Sequence, residues 1–164
     1  MSGGNTVKDG TGTFYWLLVD SEGRLRINDE WSPSLKVDEA ANDSDKTFVV
    51  TASYEWKIQW IWVEFTSTAT GGDRQLVVEI QDPATDVIFQ MRAGIVQADT
   101  ITRYYLFAPM GAEIAAFRDT DFLYVPMPPA IHLPASYVIR VYDNNAVDAA
   151  ADDMIIQMMV QERD

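Results

Sequence analysis

One segment, Trp56–Phe65, most constrains what this chain can fold into, because it holds three of the five tryptophans among closely spaced apolar residues. In an ideal β-strand alternate side chains point to opposite faces. That rule puts one apolar set on the first face (Trp56, Ile58, Trp60 and Trp62) and a second set on the other (Ile61, Val63 and Phe65). We therefore predict a long strand whose second half is apolar on both faces, so that one of these faces needs a second cover.

Short segments with the alternation of a half-buried strand recur along the rest of the chain, each bounded by Gly, Pro, Asp or Asn. They are 47–53, 55–66, 75–81, 87–92, 101–108, 122–126, 136–142 and 154–161. Helical patterns are confined to 112–118 and 147–153, which are too short to cross over between parallel strands. The pattern predicts an all-β fold: an antiparallel two-sheet sandwich, jelly-roll-like.

The segment 28–46 predicts a long surface loop, because it contains Pro33 and many Asp, Glu, Asn and Ser residues. A short strand around Leu35–Val37 is the most regular structure that we expect there.

The N-terminal residues predict an arm followed by one domain. Residues 1–13 are rich in glycine and have little to bury, so we expect a flexible N-terminal arm there and a single β-sandwich domain over 14–164. A hairpin is predicted at the start of the domain, with strands at 14–19 and 24–27 and a turn at 20–23.

Composition excludes several partners. The net charge of −13 makes binding to nucleic acid electrostatically costly, so we expect no nucleic-acid partner. The longest apolar run, Phe14–Val19, is far shorter than the ~20 residues of a spanning helix, so no membrane contact is expected. Residues 1–13 lack the pattern of a secretory signal, which favours a chain that is intracellular or part of a larger particle.

Residue types that usually perform catalysis are scarce. There is no cysteine, and the single histidine, His132, lies in a proline-rich segment that favours loop geometry. A metal site of the cupin kind needs several histidines, and no triad or phosphate-binding motif accompanies His132. We therefore expect no enzyme, no catalytic residues and no cofactor. Carboxylates are numerous enough for a glycosidase, but nothing selects a pair of them.

The densest acidic segment is a candidate for calcium. Its possible ligands are Asp143, Asn145, Asp148, Asp152 and Asp153. The segment lacks the glycine and the closing glutamate of the helix-loop-helix calcium motif. The competing interpretation is a turn, since Asp and Asn hydrogen-bond their own backbone.

The tryptophan strand leaves three interpretations open: a sandwich core, a stacking platform for sugar rings, and an interface between subunits. For the platform, the candidates are Trp31, Trp56, Trp60 or tyrosine residues. For the interface, the candidates are Val7, Phe14, Trp16, Trp56, Trp60, Trp62 and Phe65.

Two further stretches carry a family resemblance. Read together, Phe14–Leu25 and the ending Tyr137–Asn145 through Ala149–Met154 resemble small virion proteins of tailed bacteriophages, in particular capsid decoration or cement proteins. The resemblance includes no functional motif, so no residue role is carried over. It implies a homotrimer at capsid three-fold axes, bound to the major capsid protein, with a β-rich body and a terminal arm that clamps neighbours.

The leading expectation is therefore a non-enzymatic decoration protein on the outer capsid surface of a virion, which stabilises the shell through subunit contacts. The alternative is a carbohydrate-binding or receptor-binding β-sandwich, with calcium in the acidic segment.

Overall fold

The computed structural model describes residues 6–8, 14–16, 31–109, 120–129 and 131–164, and the chain divides into two compact units, 1–30 and 31–164. In the first unit β1 (Thr6–Lys8) pairs antiparallel with β2 (Phe14–Trp16), so that Val7 lies opposite Tyr15. The turn and the returning strand of the hairpin predicted over 14–27 fall outside the described residues. The arm over 1–13 and the domain over 14–164 stay predictions.

The described residues of the second unit form ten strands and no helix. They are β3 (Ser32–Asn42), β4 (Asp45–Val49), β5 (Glu55–Thr66), β6 (Leu76–Gln81), β7 (Val87–Arg92), β8 (Thr102–Pro109), β9 (Phe122–Met127), β10 (His132–Leu133), β11 (Val138–Asp143) and β12 (Asp153–Arg163). The predicted all-β class is confirmed. Within the described ranges, no helix is long and apolar enough to cross a membrane.

The strands form two sheets. The first sheet has the order β3-β12-β5-β8-β9, with β10 beside the start of β5, and the second sheet has the order β4-β11-β6-β7. Without β9 and β10, this is the eight-stranded order of two interlocked Greek keys, the jelly roll. All pairs are antiparallel except β8 and β9, which run parallel. The predicted jelly-roll-like sandwich is confirmed.

The core lies between the two inner faces. The first sheet contributes Ile61, Val63 and Phe65 from β5 with Met154, Ile156 and Met158 from β12, and the second contributes Leu76, Val78, Ile80, Ile139 and Val141. All of them are at most 1% exposed. Leu76, Val78 and Ile80 share one face of β6, as the alternation in the sequence predicts.

The prediction of a long loop over 28–46 is wrong for the described part of that range. β3 spans Ser32–Asn42 and pairs with β12 along most of its length. Tertiary pairing overrides its low strand propensity, because β3 is an edge strand on which prolines and charged residues are tolerated. Of the two helical patterns, 147–153 forms turns up to the start of β12, and 112–118 lies outside the described residues.

Candidate interaction surface

A β-bulge in the tryptophan strand determines which of its side chains face outward. Met159 of β12 lies opposite Trp60, and the next residue, Val160, lies opposite Ile58, so Gln59 has no partner on β12. One extra residue reverses the alternation of a strand. Trp56 and Ile58 therefore point into the core, where they are 3% and 1% exposed. The prediction that these two share a face with Trp60 and Trp62 is wrong for this reason.

Beyond the bulge, Trp60 and Trp62 lie on the outer face of the first sheet and are half-buried. The register places the side chain of Trp62 in a row that crosses the whole sheet. The row consists of Val37, Gln157, Trp62, Leu106 and Tyr124. The predicted apolar character on both faces holds for the middle of β5, where Trp60 and Trp62 lie outside and Ile61 and Val63 inside, but beyond it the outer face carries Glu64 and Thr66.

Aromatic rings continue the outer surface across β8 and β9. The ring of Tyr104 stacks on Trp62 at 5.9 Å between centroids and on Phe122 at 4.7 Å, with interplanar angles of 24° and 17°. We name as the aromatic face the outer side chains Trp60, Trp62, Tyr104, Leu106, Phe122 and Tyr124. The outer surface of the first sheet is open to solvent at both edge strands, because Phe122 on β9 is 53% exposed and Val37 on β3 is 47% exposed.

An open hollow of about 400 Å³ lies on the aromatic face. Trp60 and Trp62 line it together with Leu106, Ala108 and Gln157. The Gln157 side chain is already bonded, since its amide donates to Glu39 Oε1 at 3.1 Å. Because the other four lining side chains are apolar or aromatic, the lining is mostly apolar. Such a lining is typical of sites that bind the apolar face of a ligand or a side chain of a partner.

The outer face of the second sheet carries a network of polar side chains. Glu79 is 4% exposed and accepts hydrogen bonds from Gln81 Nε2 at 2.7 Å, Tyr142 Oη at 2.8 Å and Gln90 Nε2 at 3.0 Å. Burial by itself raises the pKa of Glu79, but these hydrogen bonds outweigh it and hold the pKa below its usual value. Arg140 and Asp45 form a bidentate ion pair beside it. The charged groups of Glu79, Arg140 and Asp45 thus have partners within the chain.

A cationic cluster surrounds Trp31 at one end of the first sheet. Lys57 Nζ lies 3.7 Å from the centroid of the Trp31 ring, and the Arg163 guanidinium lies 4.6 Å from it. Glu55 bonds both Arg163, at 2.8 Å, and His132 Nε2, at 3.0 Å. The Arg163 hydrogen bond is the main reason that the pKa of Glu55 is lowered. His132 lies on β10, a two-residue strand that the sequence reading placed in a loop.

The carboxylates proposed for calcium are bound by protein donors. Asp152 Oδ2 accepts from Arg74 Nε at 2.9 Å, and its Oδ1 accepts from Arg74 Nη2 at 3.1 Å and from the Thr68 amide at 2.7 Å. Asp143 accepts backbone N–H groups, among them that of Gln75 at 2.9 Å.

The remaining members of that acidic segment are spread around the same corner. Asp148 accepts the hydroxyls of Thr68 and Thr70 at 2.8 Å each, which lowers its pKa. Asn145 Nδ2 donates to the Asp73 carbonyl at 2.6 Å, and Asp153 begins β12 opposite Thr66. In the described part of the chain no group of three or more acidic, histidine or cysteine residues could hold a metal ion. The segment forms the connection from β11 to β12, and its carboxylates bind this connection to the loop after β5.

The predicted interface residues separate into three groups. Trp60 and Trp62 lie on the aromatic face, whereas Trp56 and Phe65 are in the core. Val7, Phe14 and Trp16 lie in β1 and β2 of the first unit, and their side chains lie outside the described part. The structure therefore offers two of the seven at the described surface. Trp31, named for the sugar platform, carries cations against its ring instead.

Sequence reasoning missed the members of the aromatic face outside β5. A signal was present in 104–108, where Tyr104, Leu106 and Ala108 alternate with Tyr105 and Phe107, so that this strand too is apolar on both faces. Tyr105 and Phe107 are 0% exposed, and Leu106 is 37% exposed. Two neighbouring strands with this property predict an apolar outer surface and not an isolated ridge.

Comparison with known proteins adds little. No protein-family model matches the sequence, and no curated protein matches it. Among solved structures, the chain is similar to the structure of infectious bursal disease virus, Gx strain, with a TM-score of 0.29 and 9% sequence identity. The alignment covers 97% of this chain and 46% of the viral chain, so this chain spans less than half of the length of the viral chain. A likeness at this level assigns no function.

Proposed function

We propose that the protein is a non-enzymatic structural protein of a virion, which reinforces the capsid as a decoration or cement protein. The observation that carries the proposal is the aromatic face. Copies of the chain associate through this surface, and the oligomer binds the major capsid protein on the outside of the shell.

The size of the aromatic face supports a role in association. Strands lie about 4.8 Å apart and rise about 3.3 Å per residue, so the three strands that carry the aromatic face, with three outer rows, cover on the order of 300 Å². The largest apolar patch of a monomeric protein typically measures about 300–600 Å² and is often a binding site. Trp and Tyr are also the residues that contribute most to binding at interfaces.

The virion assignment rests on the family resemblance and on charge. The jelly roll occurs in capsid domains but also in lectins and cupins, so the fold alone does not select among them. A net charge of −13 is unfavourable next to packaged nucleic acid and suits the outer surface of a shell. The resemblance implies a homotrimer, and the native mass decides the number of subunits.

A pair of matched substitutions tests the role of the aromatic face. Leu106→Glu places a charge in its middle, and Val49→Glu places the same charge on the outer face of the second sheet, where Val49 is 54% exposed. We expect Leu106→Glu to dissociate the oligomer to subunits of 18.5 kDa in light scattering, while Val49→Glu leaves the mass unchanged. Both variants should keep the circular dichroism of the parent. Equal masses for the two variants would argue against the proposal.

Placement in the virion needs a separate experiment. Immunogold labelling of intact purified virions with an antibody to this chain should decorate the outer surface. Label that appears only after the particles are opened, or that is absent, contradicts the outer placement.

The hollow beside Trp60 and Trp62 favours a second candidate function, the binding of a carbohydrate. Sugar rings stack on exposed aromatic rings, and the volume of about 400 Å³ suits a small ligand. This function predicts a monomer that binds in a glycan array and loses binding in Trp60→Ala. If the native protein is an oligomer and no glycan quenches its tryptophan fluorescence, carbohydrate binding is excluded.

A further inference from the structure

We propose that the partner on the aromatic face is a second copy of this chain, packed face to face so that Lys57 of each copy meets Glu64 of the partner subunit. The inference rests on the proposed function, because it names the occupant of the same surface. The two-fold axis lies in the plane of contact, runs across the strands, and passes between Trp60 and Trp62.

One end of the outer face offers an uncompensated cation. His132 lies opposite Lys57 in the register, and Arg163 lies opposite Glu55, so all four belong to the same outer face. Glu55 is already bonded to Arg163 and His132. The ammonium of Lys57 contacts the ring of Trp31 and pairs with no carboxylate among the described residues.

The opposite end of the same face is acidic. Glu64 is half-buried between Ile155 of β12 and Tyr104 of β8, and Asp153 begins the adjacent strand. Within the described ranges neither carboxylate has an ion-pair or hydrogen-bond partner. A charge that is partly removed from water beside aromatic rings is unfavourable until a cation pairs with it. Glu39 extends this acidic end onto β3.

The bulge at Gln59 brings Lys57 and Glu64 onto one face although they are an odd number of residues apart. Seven residues of strand separate them by about 23 Å. The point halfway between them on the outer surface lies between Trp60 and Trp62. A rotation of 180° about an axis across the strands at this point exchanges the two charged ends and places the row of Trp60 against the row of Trp62. It also places Tyr104, which lies opposite Glu64 in the register, near the row of Lys57 and His132 of the other copy.

The other in-plane axis is excluded by charge. An axis along β5 would place Lys57 against its own copy and Glu64 against its own copy, and like charges in contact oppose association. Self-complementary contact of one patch with itself is how two-fold dimers form. The whole outer face of the sheet, whose strands are two to 12 residues long, measures on the order of 800 Å². Nearly all of it is covered if the dimer reaches the ~800 Å² per partner that is typical of stable complexes.

Charge exchange tests the arrangement. The variants are Lys57→Glu, Glu64→Lys and the double variant, with Arg92→Glu on the outer face of the second sheet as the matched charge reversal. Sedimentation equilibrium should give a dimer for the parent and for Arg92→Glu. Each single variant should weaken dimerisation at least about tenfold, because like charges then meet, and the double variant should restore it to within about threefold.

The outcomes separate this inference from the proposed function. A double variant that associates no better than the single variants overturns the Lys57–Glu64 pairing. A trimeric parent whose association is abolished by Leu106→Glu overturns the two-fold arrangement and leaves the proposed function intact. A monomeric parent overturns both. Circular dichroism of every variant, matched to the parent, ensures that a loss of mass reports on association and not on folding.

Discussion

Replacement of Arg74 tests how much its ion pair with Asp152 stabilises the contact between the acidic segment and the loop after β5. Arg74 and Asp152 are each 0% exposed and form a bidentate pair, and Arg74 Nη1 also donates to the carbonyls of Thr70 and Gly72 at 2.8 and 2.7 Å. The hydrogen bond to Asp152 is the main reason that the pKa of Arg74 is raised. In Arg74→Met the carboxylate of Asp152 stays buried without its cation.

The expected cost follows from the burial. Leaving one charge of a buried ion pair uncompensated typically costs about 3–5 kcal/mol. The bidentate pair of Arg140 with Asp45 is the matched control, because its side chains are 35% and 42% exposed and such pairs contribute about 0–1 kcal/mol. We therefore expect Arg74→Met to lower the free energy of unfolding by about 3–5 kcal/mol and Arg140→Met by less than about 1 kcal/mol.

Urea denaturation, followed by tryptophan fluorescence at one fixed protein concentration, measures both effects. With a slope of about 2 kcal/mol per M for a domain of this size, the midpoint of Arg74→Met should fall by about 1.5–2.5 M. The midpoint of Arg140→Met should fall by less than about 0.5 M. If the two variants shift by the same amount, burial is not what makes the Arg74 pair important, and the reasoning is refuted.

Two further predictions concern other parts of the second unit. Gly72 has a φ of +148°, and a Cβ built there would lie 2.9 Å from Val147 Cγ1, so Gly72→Ala should lower the melting temperature by several degrees. Gly71→Ala is the control, because a Cβ at Gly71 meets nothing within 4 Å, and it should leave the melting temperature unchanged. Equal melting temperatures for the two variants would be inconsistent with strain at Gly72. Because the folded-state pKa of Glu79 is lowered from 4.5, its carboxylate stabilises the fold above that pH and the stabilisation is lost as the pH falls further. The urea midpoint of the parent should thus fall more between about pH 6 and pH 3 than that of Glu79→Gln, and parallel curves would contradict this.

The sequence predicted the fold well, because strand alternation is a local property. The bounds of β5 and β7 agree with the predicted segments 55–66 and 87–92 at both ends. β3 was predicted only as a short strand around Leu35–Val37, because most of its strand character comes from pairing with β12 and not from its own composition. β10 is two residues long, too short for any alternation to show.

The candidate site was only partly predictable, and the reason is the bulge. If the side chains alternate strictly from Trp56 onward, the residues up to Ile58 are assigned to the correct face of the sheet. The residues beyond Gln59 are assigned to the wrong face. Nothing in the local sequence marks that residue, since a bulge is defined by the partner strand. The stacking of Tyr104 between Trp62 and Phe122 likewise depends on β8 lying between β5 and β9. Sheet order of this kind is a long-range property that one sequence does not display.

The native mass of the unmodified chain tests the central claim, that the aromatic face is covered by another subunit, most directly. Sedimentation equilibrium at micromolar concentration and physiological salt should give a multiple of 18.5 kDa. The face-to-face arrangement predicts twice that mass. A species of 18.5 kDa at every concentration up to about 100 μM, far above a stable dimer's Kd, would contradict the claim.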